Sequence, residues 1–304
     1  MTPESPAVPG ASDGRPKVGY LGPEGTYSEE ALLADVVPGA SEPAALETIQ
    51  DTVVALRRGE VDWAIVPIEN SLDGSVTVTL DLLADLAGEI EVVGEVLLSV
   101  KHALAAAPGL RMEEIETVLT HPKAPGQCRT FLRERLPRAR VLPASSTADA
   151  VRIAAQADPR ERVAAIGTEL AAKIYGASIL ARGVQDRDDN LTRFAWLGPA
   201  GGAGRPPLRE RPTEAQRKTS IVFWGAGADQ SGWLVRCLDE FARRGLNLTK
   251  IESRPRRERM GHYMFFVDLD GGVQQTAVAE AIGGLRDLCE KVLVLGSFAA
   301  AATD

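Results

Sequence analysis

The sequence predicts an α/β protein in two parts: a large region of alternating strands and helices, then a smaller C-terminal unit with the βαββαβ order of the ferredoxin-like plan. Three observations carry this reading. Short runs rich in Val, Ile and Leu alternate with stretches of helical spacing from Lys17 to Leu197. Residues 198–217 (GPAGGAGRPPLRERPTEAQR) break the pattern with Gly, Pro and charge, as a linker does. Beyond them two strands follow one another directly between helices.

The elements follow in order. Lys17–Pro23 (KVGYLGP) is a buried strand ending in a Gly-Pro turn. Thr26–Val37 places Ala31, Leu32 and Val36 at helical spacing, and Thr26 with Glu29 fits a capping box. Thr48–Arg58 is an amphipathic helix stopped by Gly59, Asp62–Pro67 a second buried strand, and Val76–Leu86 a further helix. Glu91 to Ala107 alternates as long strands do. Glu116–Thr120 is a strand, Lys123–Leu136 a helix and Arg140–Leu142 a strand. Thr147–Gln156 is a helix capped by Ser146, with Asp149 three residues on. Val163–Gly167, Ser178–Ala181 and Arg193–Leu197 are strands, with a helix at Glu169–Tyr175. After the linker come a strand (Thr219–Trp224), a helix (Gly232–Arg244), a hairpin (Asn247–Ser253 with His262–Leu269), a helix (Thr276–Glu290) and a last strand (Val292–Phe298). Gly225, Gly227 and Gly232 mimic a dinucleotide fingerprint, but the third glycine is too distant and a hairpin follows, so a Rossmann unit is rejected.

Composition narrows the function. A net charge of −8 argues against nucleic acid or an anionic membrane surface as the main partner. The three cysteines, Cys128, Cys237 and Cys289, are widely spaced and form no CxxC, so neither a disulfide framework nor a zinc site is expected. The three histidines, His102, His121 and His262, show no metal-ligand spacing. No apolar run is long enough to span a bilayer, and residues 1–16 read as a disordered tail without a signal peptide, so the expected address is the cytoplasm.

Four constellations carry possible chemistry. Gly22-Pro23-Glu24-Gly25-Thr26-Tyr27-Ser28 lies between a strand and a helix, where glycines admit close backbone approach and the helix start favours an anion. Val66 to Val76 (VPIENSLDGSV) runs from a buried strand into a polar cluster, the end of the strand at which open α/β sheets bind ligands. There Glu69 serves as a base or orients Asn70 and Ser71. His121-Pro122-Lys123 leads to Gln127-Cys128 on a helix, and is either an acid–base site or a solvated loop with a buried cysteine. Asp189 to Phe194 (DNLTRF) offers a guanidinium suited to a carboxylate, beside a hydroxyl donor.

In this order and spacing the four motifs resemble the prephenate dehydratase family. The resemblance implies a two-lobed, periplasmic-binding-protein-like catalytic domain over residues 17–199, with lobe 1 at about 17–93 and 181–199 and lobe 2 at about 94–180. A linker at 200–217 and an ACT regulatory domain at 218–300 follow. It also implies a carbon–oxygen lyase that takes prephenate to phenylpyruvate in phenylalanine biosynthesis. No redox step occurs, so no cofactor or metal is expected. Thr192 maps to the family's central threonine and is assigned donation to the departing hydroxyl. Arg193 would anchor the side-chain carboxylate, and Asn70 and Ser71 join them as catalytic candidates. Thr26, Glu69, Gln127, Phe194 and Gly25 form the expected binding set, Glu69 the weakest because an anion there repels the substrate. The segment after Pro122 departs from the family, with a second proline at Pro125.

The C-terminal part resembles an ACT domain through Glu252-Ser253-Arg254-Pro255, the ESRP effector motif. The partner motif, usually Gly-Ala-Leu-Val after Pro, here reads Gly232-Trp233-Leu234-Val235 after Ser231. Trp233 either fills part of a phenylalanine pocket or packs at a dimer interface. The expected partners are prephenate, L-phenylalanine as a possible effector, and further copies of the chain in a homodimer or homotetramer. Two rivals remain: an arogenate dehydratase, and a non-catalytic small-anion binding or sensor protein.

Overall fold

The computed structural model describes residues 14–202, 204–209, 216–225, 230–256 and 261–301; most of the expected N-terminal tail lies outside them. The chain opens with β1 (Lys17–Leu21), α1 (Tyr27–Asp35), β2 (Glu42–Leu46), α2 (Ile49–Arg57), β3 (Trp63–Asn70), β4 (Gly74–Ser75), α3 (Thr77–Asp85) and β5 (Ile90–Ser99). A second run comprises β6 (Ala103–Ala106), β7 (Thr117–Thr120), α4 (Ala124–Gln127), α5 (Arg129–Arg135), β8 (Arg140–Pro143), α6 (Thr147–Gln156), β9 (Val163–Gly167), α7 (Glu169–Tyr175) and β10 (Ser178–Arg182). Then β11 (Leu191–Pro199) returns to the first sheet, whose order is β2-β1-β3-β11-β5 with β4 paired to β3. The second sheet runs β10-β6-β9-β7-β8. These two α/β lobes are joined by two adjacent crossing segments, where Val100 N–H donates to Asn190 O at 2.8 Å.

The C-terminal unit is β12 (Arg217–Trp224), α8 (Trp233–Ala242), β13 (Leu248–Pro255), β14 (Tyr263–Asp270), α9 (Thr276–Leu288) and β15 (Lys291–Ala299). Its antiparallel sheet runs β13-β14-β12-β15, the ferredoxin-like arrangement. Strand alternation gives this sheet two faces. Ile221, Phe223, Val267 and Leu269 pack under α8 and α9. Val222, Met264, Phe266 and Leu295 join Val66, Ile68, Leu83 and Val92 of the first lobe in one apolar core. That face is buried against the lobe.

Several expectations need correction. The strand expected to cross between lobes near Gly94 stays in the first sheet to Ser99, held by pairing with β11 from Pro199↔Ile90 to Leu191↔Ser99. The crossings are at 100–102 and 183–190. Glu42–Leu46 (EPAAL) is a further strand, short and without β-branched residues, which packs Ala44 and Leu46 on the core and sits at the sheet edge, where Pro43 costs little. The Lys123–Leu136 helix breaks at Cys128 into α4 and α5. The Thr26–Glu29 capping box does not form: the Thr26 hydroxyl donates to Leu21 O at 2.8 Å, and Glu29 takes the Gly25 N–H. Ser146 caps α6 as expected, accepting from Asp149 N–H. Part of the stretch read as a spacer is docked: Val36 bridges to Leu208, and Arg209 N–H donates to Asp35 O. Cys237 and Cys289, 52 residues apart, bring their thiol sulfurs within 3.7 Å between α8 and the end of α9.

Candidate active site

Register places the site's core. β11 runs antiparallel to β3 with Thr192 opposite Asn70 and Arg193 opposite Glu69. Successive strand side chains point to opposite faces. Thr192 and Asn70 therefore share one face, and Arg193 and Glu69 the other.

On the first face a chain of amides spans both lobes. Asn70 Oδ1 accepts the backbone N–H groups of Leu72 and Asp73 at 3.0 and 2.9 Å, which fixes the orientation of its amide. Its Nδ2 must then donate, to Asn190 Oδ1 at 2.7 Å and to Thr192 Oγ1 at 3.0 Å. Asn190 Nδ2 in turn donates to Gln127 Oε1 at 3.2 Å, on α4 of the second lobe. With that oxygen as acceptor, His102 carries its proton on Nε2, 2.9 Å away. Nδ1 is then an acceptor 2.7 Å from the Tyr27 hydroxyl, whose single hydrogen it shares with Lys101 O at 2.8 Å. Two backbone N–H groups thus set the polarity of the whole relay. The consequence for Thr192 is direct: its oxygen accepts from Asn70, so its own O–H is left to donate to something else.

The first glycine-rich segment gives Tyr27 to this relay and otherwise closes the lobes. Thr168 Oγ1 donates to Gly25 O at 2.6 Å and Tyr175 O–H to Glu24 O at 2.9 Å, both from the region of α7. The Glu30 carboxylate accepts from the Leu170 N–H of the same helix, and burial pushes its pKa up to about 7. Lys123 pairs with Asp73 across the lobes at 3.0 Å, exposed enough to be worth little.

Several residues expected at the site lie elsewhere. Arg193 turns away from the relay, and its Nη2 donates to Asp268 Oδ2 of the C-terminal sheet at 2.6 Å. Glu69 lies beside it, 3.2 Å from Lys250 Nζ. Phe194 is 1% exposed in the apolar core beneath α1, with Tyr20 and Trp196. Thr26 is spent on Leu21 O. Ser71 donates to Asp189 O and accepts Leu191 N–H, so it ties its loop to the start of β11. Of the expected set, Thr192, Asn70 and Gln127 meet in one hydrogen-bonded group.

The C-terminal motif residues divide by the same alternation. Glu252 accepts Ser75 Oγ at 2.8 Å, and Arg254 pairs with Asp81 at 3.0 Å, both toward the first lobe. Ser253 and Pro255 are exposed on the other face, Ser253 opposite Phe265. Trp233 is 4% exposed, packs against Phe223 and Phe265, and donates from Nε1 to Leu288 O at 2.9 Å. It is core within one chain, which removes the dimer-interface reading of its side chain. Gly232 and Val235 are exposed and Leu234 half-buried.

Sequence reasoning missed His102, and it included Tyr27 and Asn190 in its motifs without giving either a role. The available signal was a histidine at the break between two apolar strands, where the chain changes lobes. Burial lowers the His102 pKa from its ordinary 6.5, partly opposed by the bond to Gln127. A group depressed in the folded state stabilises fully above its unfolded pKa, and that stability is lost as pH falls from about 6.5 through the lowered value. Glu30 has the opposite sign, losing its contribution as pH rises from its ordinary 4.5 through about 7. Because His102→Gln retains Glu30, the difference from wild type isolates the histidine. Wild type is expected to lose more thermal stability than His102→Gln between about pH 7.5 and pH 5.5. Equal losses would remove the neutral, buried imidazole.

Known proteins resemble this chain in sequence and in fold. A family model described as prephenate dehydratase matches residues 18–201. The prephenate dehydratase of Amycolatopsis methanolica is 42% identical over 291 residues, 94% of this chain and 89% of that protein. The crystal structure of the Arthrobacter aurescens prephenate dehydratase in complex with L-Phe is 37% identical, with a TM-score of 0.80 over 93% of this chain and 90% of that one. A structure described as a novel type of quorum-quenching acylase, GqqA, is 27% identical with a TM-score of 0.78 over 93% and 98%. Among the described residues no helix is long and apolar enough to cross a membrane, and no group of three or more His, Cys, Asp or Glu side chains is placed to hold a metal ion. With its motifs in order and its sequence matched by the family model and by relatives over nearly its full length, the chain belongs to the prephenate dehydratase family.

Proposed function

We propose that the prephenate dehydratase reaction runs at the seam between the lobes, with Thr192 as the hydrogen-bond donor to the departing hydroxyl. The reaction is the carbon–oxygen lyase step of aromatic amino acid biosynthesis. The C–C bond to the ring carboxylate breaks to release CO2. Its electron pair enters the ring, and the C–O bond to the ring hydroxyl breaks. That hydroxyl leaves as water with one proton from the medium, and phenylpyruvate remains. Charge develops on the leaving oxygen, so a donor aimed there is worth most in the transition state. A threonine hydroxyl is a poor formal acid, which makes donation its role rather than full protonation. The observation that carries the assignment is the fixed Asn70 donation into Thr192 Oγ1, which leaves the O–H unclaimed. Gln127 and Asn190 hold the relay from the second lobe and the crossing segment.

The same reading includes a C-terminal ACT domain that senses L-phenylalanine, a homodimer or homotetramer, and a cytoplasmic address. The ferredoxin-like topology and the ESRP segment on β13 support the sensor. The assay is phenylpyruvate formation, followed by absorbance in base, with prephenate and arogenate compared as substrates. Turnover of arogenate alone would move the chain to the arogenate dehydratases.

Trp233 gives a separate prediction. As a core side chain it is expected to cost about 3–5 kcal/mol in stability on Trp233→Ala, read by denaturant unfolding. It is not expected to be what keeps L-phenylalanine out. Calorimetry with wild type should therefore show binding, whereas binding only to Trp233→Ala would restore the pocket-filling reading.

A further inference from the structure

The face of β3 and β11 opposite the relay is occupied by a buried charge cluster shared with the C-terminal sheet. Arg193 Nη2 lies 2.6 Å from Asp268 Oδ2 on β14, with Nη1 and Nε each 3.7 Å from Glu95 and Glu69. Asp268 also accepts the Ser220 hydroxyl of β12. Lys218 Nζ reaches Glu95 at 2.8 Å. Lys250 Nζ on β13 reaches Glu69 at 3.2 Å and Ser75 Oγ at 2.8 Å, and Ser75 donates to Glu252. The Arg193 and Asp268 side chains are 11% and 7% exposed. Two strands thus carry adjacent pairs, Glu69–Asn70 and Arg193–Thr192. In each pair one residue belongs to the relay and its neighbour to the interdomain cluster.

We propose that Arg193 is a positioning residue that couples the C-terminal sheet to Thr192 through Asp268, and is not the anchor of a substrate carboxylate. This rests on the reading that Thr192 is the donor. The guanidinium is held by a buried carboxylate of another sheet, on the face of β11 opposite Thr192. Moving the C-terminal sheet against the first lobe moves Asp268, and with it the backbone of β11 one residue from the reacting hydroxyl. Displacements of an ångström at a reacting group are enough to cost about a hundredfold in rate. Glu69 with Lys250 gives the same connection to Asn70 from the strand that carries Glu252. The two residues of the donor pair are thus reached from neighbouring strands of the C-terminal sheet, Asn70 from the ESRP strand β13 through Glu69 and Thr192 from β14 through Arg193.

The test compares Asp268→Asn, Asp268→Glu, Arg193→Gln and wild type, each checked for folding by thermal melting. Coupling predicts that Asp268→Asn and Arg193→Gln each lower kcat about tenfold with KM for prephenate within about twofold, and that Asp268→Glu restores part of kcat. A carboxylate anchor predicts the reverse: Arg193→Gln raises KM more than tenfold at unchanged kcat, and Asp268→Asn leaves kcat alone. That result overturns the proposal. A second readout needs neither substrate nor effector: hydrogen exchange of the 191–195 amides should quicken in Asp268→Asn, and wild-type exchange there would also overturn it. A wild type that makes no phenylpyruvate defeats the proposed reaction, and the exchange measurement still decides the coupling. A wild type that ignores L-phenylalanine leaves both comparisons intact, since neither uses the effector.

Discussion

Replacing Thr192 by alanine is expected to lower kcat for phenylpyruvate formation by ~10²–10³-fold, the usual loss when one transition-state donor is removed. KM should change little, because the bond strengthens only as charge develops on the leaving oxygen. The fold should survive, since the one bond that Oγ1 makes across to β3 is replaceable: the backbone pairing of β3 with β11 remains, and Asn70 Nδ2 keeps Asn190 Oδ1 at 2.7 Å and has Leu191 O at 3.2 Å. Thr192→Ser keeps the hydroxyl and should retain activity within about tenfold, the loss coming from a freer rotamer. Thr192→Val keeps the shape without the donor and should resemble alanine. A valine variant with near wild-type kcat would remove hydroxyl donation from the mechanism altogether.

The motifs were legible, but the direction in which their side chains point was only half legible. Glu69-Asn70-Ser71 and Thr192-Arg193-Phe194 each read as one polar cluster entering one cleft. The second strand was expected to end at Pro67 and the return strand to begin at Arg193, whereas they run to Asn70 and from Leu191. Extended by those residues, strand alternation alone separates Glu69 from Asn70 and Arg193 from Thr192. Polar residues hide these strand ends because their partners lie far away in sequence: Lys250 and Asp268 neutralise Glu69 and Arg193 from the last domain. The same distance hid His102, whose partners Tyr27 and Gln127 come from different lobes. Elements with local signals, such as the Ser146-capped α6 and the Val163–Gly167 strand, were placed to the residue.

The second large effect is expected at Gly25, where the first lobe touches the second. A methyl group at Gly25 would stand 2.7 Å from Ala171 Cα and 2.8 Å from its Cβ, on α7, closer than carbon atoms approach. The residue also holds φ at +84°, which costs an alanine roughly 1–2 kcal/mol. Neither neighbour yields easily: Ala171 is backbone in a packed helix, and Thr168 clamps Gly25 O at 2.6 Å. The loop must therefore withdraw from α7, opening the seam that the amide relay closes from Asn70 to Gln127. Gly25→Ala is expected to lose about 10²-fold in kcat/KM through misplacement of groups it does not touch. Each lobe keeps its own apolar core, so the melting temperature should fall by only a few degrees. Small-angle scattering should show a larger radius of gyration than wild type. Thr168→Val removes the clamp without the clash and should give a milder loss of the same kind. If Gly25→Ala instead keeps its activity while the radius grows, the relay between the lobes is not needed for turnover, and Thr192 works from the first lobe alone.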